Sequence, residues 1–343
     1  MKSSPLFYSL ILTWFAWAGR AQPSFPSVDP FEQNRQLGRG VNILRDDPIW
    51  DSLDRSRLQI KHFALLKQAG FNSVRVNLHP FAVMSATNNW RLPSSWTQAV
   101  NWALLNATKQ GLTVILELHE QEAMSEDPGA NQPKFIAYWR QVSQRYRTAP
   151  SSVFFEVLNE PSRKMTPQLW NDYLRDALAL IREKNPNRTV IVGPAFGNSI
   201  AHLQELELPS DDPNLIVTVH YYEPLEFTHQ GTPGKDRKDK LGVNWLGTRG
   251  ELEALNQDFD KASAWGKEHH RPIFLGEFGA GDKAQMESRA RYSASVARAA
   301  EQRGWSWAYW QFDGDFMLYD IARDAWVEPI RDALIPLGAP QSR

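Results

Sequence analysis

Two glutamates stand where apolar runs turn polar: Glu160 in VFFEVLNEP (153–161) and Glu277 in PIFLGEF (272–278). A carboxyl group can hold, give or take a proton and can attack an electrophile, so two of them brought to one place form a candidate acid–base and nucleophile set. Other short apolar runs end in a similar way. The last polar residues are Asn42 in GRGVNIL (38–44), Arg75 and Asn77 in SVRVNLH (73–79) and His119 in TVILELH (113–119). They continue with Asn159 beside Glu160, His220 and Tyr222 in LIVTVHYY (215–222), and Trp310 with Gln311 in WSWAYWQF (305–312). One run, TVIVGPA (189–195), contributes nothing obvious. Taken singly, each residue has an ordinary explanation: an ion pair for Arg75, a core histidine for His119, packing for Trp310, a helix N-terminus for Glu160. Their common position at the ends of successive runs is what points to a site.

The runs that carry these residues are mostly continuous rather than alternating, as in strands buried on both faces of a parallel sheet. Between them lie segments of helical period. SRLQIKHFALLKQAG (56–70) closes on Gly70 and WTQAVNWALLNATKQG (96–111) on Gly111, with further helices expected over 134–147, 167–184, 251–269 and 284–303. Eight strands alternating with helices predict an α/β fold, a single (β/α)8 TIM barrel, whose active site would lie at the C-terminal ends of the strands. The long connection over 223–250 follows the sixth run and would sit at that mouth.

Composition narrows the remaining possibilities. The chain of 343 residues is 42% hydrophobic and 22% charged, which suits a large globular core. Net charge is −1 with scattered cations, so no nucleic-acid partner is expected, and the basic run over 235–240 reads as a solvated loop. The first residues, MKSSPLFYSLILTWFAWAGRAQP, have the layout of a signal peptide over 1–21, cleaved after Ala21. Residues 22–343 would then be a secreted or periplasmic catalytic domain, a monomer that does not stay on the membrane after cleavage. There is no cysteine, which excludes disulfides, a thiol nucleophile, cysteine-ligated metal and lipid attachment at the leader.

Arg75 in SVRVNLHP, His119 in ILELHE, Asn159-Glu160-Pro161, the His-x-Tyr of VHYYEP, Glu277 in FLGEFG and Trp310 in WAYWQF together resemble glycoside hydrolase family 5, a family of retaining (β/α)8 enzymes. The resemblance implies that Glu160 is the acid/base and Glu277 the nucleophile of a retaining glycosidase. Arg75 and Tyr222 would hold Glu277 ionised, Asn159 would bond the sugar 2-hydroxyl, and His119 and His220 would complete the network. Trp310 is the expected platform for the sugar being cleaved, with Asn42, Trp50 and Trp245 as weaker substrate contacts. Many cellulase-like relatives have a second histidine where this chain has Glu120, which adds a carboxyl near the site.

Rival chemistries fail on spacing. His119-Glu120 would need histidine at position 123 to form a zinc helix, and that residue is Ala123. GEFGAGDK (276–283) misplaces the lysine of a phosphate loop, and there is no G-x-S-x-G. No metal and no cofactor are therefore expected. The substrate implied is a β-glucan polysaccharide or oligosaccharide cut by an endo-β-1,4-glucanase. β-Mannanase and exo-acting β-glucanase activity are the alternatives within the family, and a non-catalytic carbohydrate-binding barrel is the alternative outside enzymes.

Overall fold

The computed structural model describes residues 29–232 and 240–336, so the leader over 1–21 and most of the basic run over 235–240 lie outside the described residues. Eight strands close a parallel barrel in chain order: β1 (Arg39–Ile43), β2 (Ser73–Leu78), β3 (Thr113–Leu118), β4 (Val153–Glu156), β5 (Val190–Val192), β6 (Leu215–Tyr221), β7 (Ile273–Phe278) and β8 (Ser306–Tyr309). β8 returns to pair with β1, so no edge is left open. Every residue of β2 through β8 is buried, which explains why these runs are continuous in apolar character.

Side chains alternate between the barrel interior and the helix layer. The inward set at the lower level is Ile115, Phe154, Ile191, Ile216, Phe274 and Ala308, which pack with Leu37 into an apolar floor separate from the larger core. Leu37 arrives from the helix Pro30–Leu37, which precedes β1. This floor closes the lower end, so polar groups above it can reach solvent only through the upper mouth.

The outer helices Ile60–Ala69, Ser94–Lys109, Pro128–Arg145, Pro167–Lys184, Arg249–Glu268 and Met286–Gln302 occupy the expected places. Pro167–Lys184 shows why one forms: Thr166 caps the Leu169 N–H, Pro167 starts the first turn, and Trp170, Leu174, Ala177, Leu178 and Ile181 form one buried stripe. Burying each of its large apolar side chains contributes roughly 1.5–3 kcal/mol, and Trp170 also donates to the Gly193 carbonyl at 2.8 Å.

Three expectations need correction. The third helix begins at Pro128 rather than at 134, because Asp127 caps it and the internal Pro133 removes a single bond in its early turns. Between β5 and β6 there is a 3₁₀ turn, Ile200–Glu205, in place of a full outer helix. The fourth strand also pairs regularly only as far as Glu156, after which Val157 and Asn159 each make one further ladder-like bond, to Ile191 and Leu118.

Candidate active site

The two-residue period that builds the floor also builds what stands on it. Above Ile115 on β3 comes Glu117 and then His119, above Phe154 on β4 comes Glu156, and β2 contributes Arg75. Arg75, Glu117 and Glu156 are all 0% exposed. Every guanidinium N–H of Arg75 is used. Nε and Nη2 donate to the two Glu156 oxygens at 2.8 and 2.7 Å, and Nη1 donates to Glu277 at 2.7 Å and to Asn42 at 2.8 Å. The fifth bond runs from Nη2 to Asn159 Oδ1 at 2.8 Å. Glu117 Oε2 lies 3.8 Å from Nη1. One cation thus stands among three carboxylates in a dry interior. Burial pushes the carboxyls of Glu117 and Glu156 upward, and the charge of Arg75 draws both back down.

Glu277 reaches this cluster through a break in register. Phe274 belongs to the floor, so strict alternation would turn Glu277 away from the interior. Val219 pairs with Leu275 but His220 pairs with Glu277, so β7 carries an extra residue there, and the bulge turns the glutamate inward. The extra residue is Gly276, where a Cβ would collide with Thr218 Oγ1 and lie 3.0 Å from His220 Nε2. Tyr222 donates to Glu277 Oε2 at 2.9 Å, so two donors grip the carboxylate. Burial raises the Glu277 carboxyl above its ordinary value, opposed first by His220 and then by Arg75, while Glu160 adds to the rise.

Glu160 faces it from the end of β4. Its φ of +38° lies in the left-handed region, which costs a side-chain-bearing residue about 1–2 kcal/mol. The conformation brings one of its oxygens to 2.8 Å from His220 Nδ1, and the same nitrogen is 3.6 Å from Glu277. His220 Nε2 accepts from Asn198 at 3.2 Å, which leaves the proton on Nδ1, and burial lowers its pKa. Glu160, His220 and Glu277 have ligand-type atoms all within 4.8 Å of one another and are the group among the described residues that could hold a metal ion.

The remaining expected residues separate by depth. Glu160, Glu277, Asn159, His119, His220, Tyr222 and Trp310 line one cleft of about 910 Å³. Asn159 spends its carbonyl oxygen on Arg75, so its NH2 group is not used within that network. Trp310 lies nearly parallel to His119, with ring centroids 5.5 Å apart, and the Arg45 guanidinium is 5.4 Å above its ring. Asn42 is not a cleft residue. It is wholly buried and bonds Arg75, Asn77 and the Gly276 carbonyl, which makes it a support. Trp50 and Trp245 also lie off the cleft. Trp50 donates to the Leu44 carbonyl at 2.7 Å and stacks on Trp96, and Trp245 is buried edge-on against Tyr292. Neither indole lines the cleft: Trp245 is buried, and Trp50 is half-buried against Trp96.

Glu120 likewise turns away from the cleft and accepts the Phe81 N–H at 2.6 Å. Burial pushes its pKa up to about 7 from 4.5. The folded state therefore binds this proton more tightly than the unfolded chain, and the group's stabilising contribution is lost as pH rises from 4.5 through 7. Denaturant titrations at pH 5 and pH 8 should show Glu120→Gln removing a pH-dependent loss on the order of 3 kcal/mol. An unchanged gap between the two pH values would refute this.

The end of β5 is not empty either. Phe196, Gly197 and Asn198 take three successive left-handed conformations, at φ +56°, +79° and +54°. They place Asn198 on His220 and leave Phe196 43% exposed on the cleft. Glu117 and Glu156 lie within their runs rather than at the polar ends, although their two-residue spacing from His119 and Phe154 marks them as inward. His229, from the segment FTHQG (227–231), stands edge-on to Tyr222 at 4.9 Å and also lines the cleft.

Comparison with known proteins places this geometry. The profile described as Cellulase (glycosyl hydrolase family 5) matches residues 54–315. Endoglucanase H of Acetivibrio thermocellus is 29% identical over 335 residues, covering 94% of this chain and 35% of that protein. The chain thus spans about a third of the length of that relative. The structure of Thermotoga maritima Cel5A in complex with cellobiose is 36% identical with a TM-score of 0.84, covering 90% of this chain and 100% of that one. The complex of the same protein with mannotriose gives the same identity, score and coverage. The barrel, the strand-end residues and these matches together show that the chain belongs to the cellulase family, glycosyl hydrolase family 5.

Proposed function

We propose that this protein hydrolyses β-linked glucan with retention of anomeric configuration, as an endo-β-1,4-glucanase, with Glu277 as nucleophile and Glu160 as acid/base. The observation that carries the reading is the approach of the two carboxyl groups, with one oxygen of each within 4.8 Å. Retaining glycosidases hold this pair about 5–5.5 Å apart, whereas inverting ones leave room for a water. The roles divide by surroundings. Glu277 accepts from Arg75 and Tyr222, bonds that favour the carboxylate and oppose the upward push of burial on this group. Glu160 is bonded to His220 and its side chain is 30% exposed, at the side where water and leaving group exchange.

In the first step a Glu277 oxygen bonds to the anomeric carbon as the C–O bond to the leaving sugar breaks, and the departing oxygen takes the proton of Glu160. In the second, Glu160 removes a proton from water, whose oxygen displaces Glu277 from the same carbon. Arg75 stays paired with Glu156 when Glu277 becomes an ester, so the interior keeps a compensated cation throughout. The Asn159 NH2 group is the donor assigned to the sugar 2-hydroxyl, and Trp310 the platform beneath the cleaved ring. A leader-like segment over 1–21 supports a secreted or periplasmic location.

Reducing-sugar release by the purified protein on carboxymethyl-cellulose, barley β-glucan, laminarin, galactomannan and xylan tests the reading. Preference for the first two is expected. Preference for galactomannan would replace glucan by mannan, a substitution that the mannotriose complex of the Thermotoga relative makes concrete. Binding of glucan with no cleavage of any polymer or oligosaccharide would overturn catalysis in favour of a carbohydrate-binding barrel.

A further inference from the structure

His119 is held from within the barrel by a carboxylate that the reaction does not use. Glu117 Oε2 accepts from Asn77 Nδ2 at 2.8 Å and lies 2.9 Å from His119 Nδ1. The other oxygen, Oε1, is buried and has no hydrogen-bond partner. Arg75 Nη1 stands 3.8 Å from Oε2, which gathers negative charge on the oxygen that faces the histidine. With one lone pair taken by Asn77, the other faces Nδ1. A hydrogen on Nδ1 satisfies both atoms. A hydrogen on Nε2 would set two lone pairs against each other between buried side chains, which is costly. Nor can the ring resolve this by taking a second proton: burial, then Arg75 and Arg45, hold its pKa well below the ordinary value. The neighbouring His79, 5.1 Å away, is held to about 3 by burial and is neutral as well.

We propose that Glu117 is a positioning residue that fixes His119 as the Nδ1–H tautomer, so that Nε2 faces the cleft as an acceptor only and selects a sugar hydroxyl able to donate to it. The selection half rests on the glycosidase reading above; the tautomer half rests on the Glu117, Asn77 and Arg75 contacts alone. His119 lines the cleft beside Trp310, so the hydroxyl belongs to the sugar above that indole. An O-methyl or deoxy sugar at that position gives up the bond. The competing arrangement places a proton on Glu117 Oε2, donates it to Nδ1 and leaves Nε2–H as a donor.

Long-range ¹H–¹⁵N spectra of histidine-labelled protein distinguish the two, with the His119 signals identified by their loss in His119→Gln. Wild type should show a protonated Nδ1 and a bare Nε2 for His119. Glu117→Gln, whose amide oxygen can still accept, should keep that tautomer and most of the activity. Glu117→Leu should lose the tautomer and raise KM by about tenfold, the scale of one hydrogen bond, with a smaller change in kcat. A wild-type His119 protonated on Nε2 overturns the proposal, as does a folded Glu117→Leu with wild-type tautomer and KM. If the wild type cuts no glycan, the selection half falls with the glycosidase reading, while the spectra still decide the tautomer.

Discussion

Replacing Glu277 by Gln stops hydrolysis, with kcat falling on the order of 10⁶-fold, the scale on which a covalent mechanism depends on its nucleophile. The fold should not suffer with it. Burial raises the Glu277 carboxyl, so the folded state holds its proton more tightly than the unfolded chain, and the ionised group's stability contribution declines as pH rises above 4.5. A neutral amide of the same shape removes that charge and still accepts from Arg75. At pH 7 the denaturation midpoint of Glu277→Gln should therefore equal or exceed that of the wild type. Inactivity together with retained stability separates a catalytic role from a structural one, and a large loss of stability would contradict it. Glu160→Ala should behave differently: about 10²–10⁴-fold slower departure of a sugar leaving group, but little effect on departure of an activated aryl group that needs no proton. Equal loss of kcat/KM, which reports the first step alone, on both substrates would argue against Glu160 as the proton donor.

The second large effect concerns Arg75, which makes five donor bonds to four residues. Arg75→Met leaves Glu156 and Glu277 in the interior without their cation. Removing one partner of a buried pair destabilises by about 3–5 kcal/mol, read as a fall in the denaturation midpoint or as failure to fold. Lysine is no substitute, because a point charge with three donors cannot reproduce a planar fork with five. The double variant Arg75→Met/Glu156→Gln should recover part of the lost stability, since it removes one of the two uncompensated charges, but not the activity. Full stability of Arg75→Met would show that this network does not hold the barrel interior as described.

Much of the barrel and the upper tier of the site could be read from the sequence, because both follow from strand runs and the polar residues at their ends. The lower tier could not. Glu156 sits inside VFFEV and Glu117 inside TVILEL, where a search of strand ends passes over them, although parity with Phe154 and Ile115 places both above the floor. Glu277 stands at a strand end, yet alternation from Phe274 alone would turn it outward, and the extra residue Gly276 brings it in. Bulges and left-handed segments are fixed by tertiary fit, so the cleft face of Phe196 and the bond from Asn198 to His220 were invisible in TVIVGPAFGNS. Tryptophan invites the opposite error. Trp50 and Trp245 have the chemistry of a sugar platform, but neither lines the cleft, Trp50 stacking on Trp96 and Trp245 lying buried against Tyr292.

The central claim is that Glu277 bonds covalently to the sugar. Incubation with an activated 2-deoxy-2-fluoro-cellobioside, which slows the second step more than the first, followed by mass spectrometry of the intact protein and its peptides, tests it most directly. The account predicts a single fluorocellobiosyl adduct on the peptide containing Glu277, lost again on transfer to an added sugar acceptor. An adduct on Glu160, or turnover of natural substrate with inversion and no adduct, would contradict it.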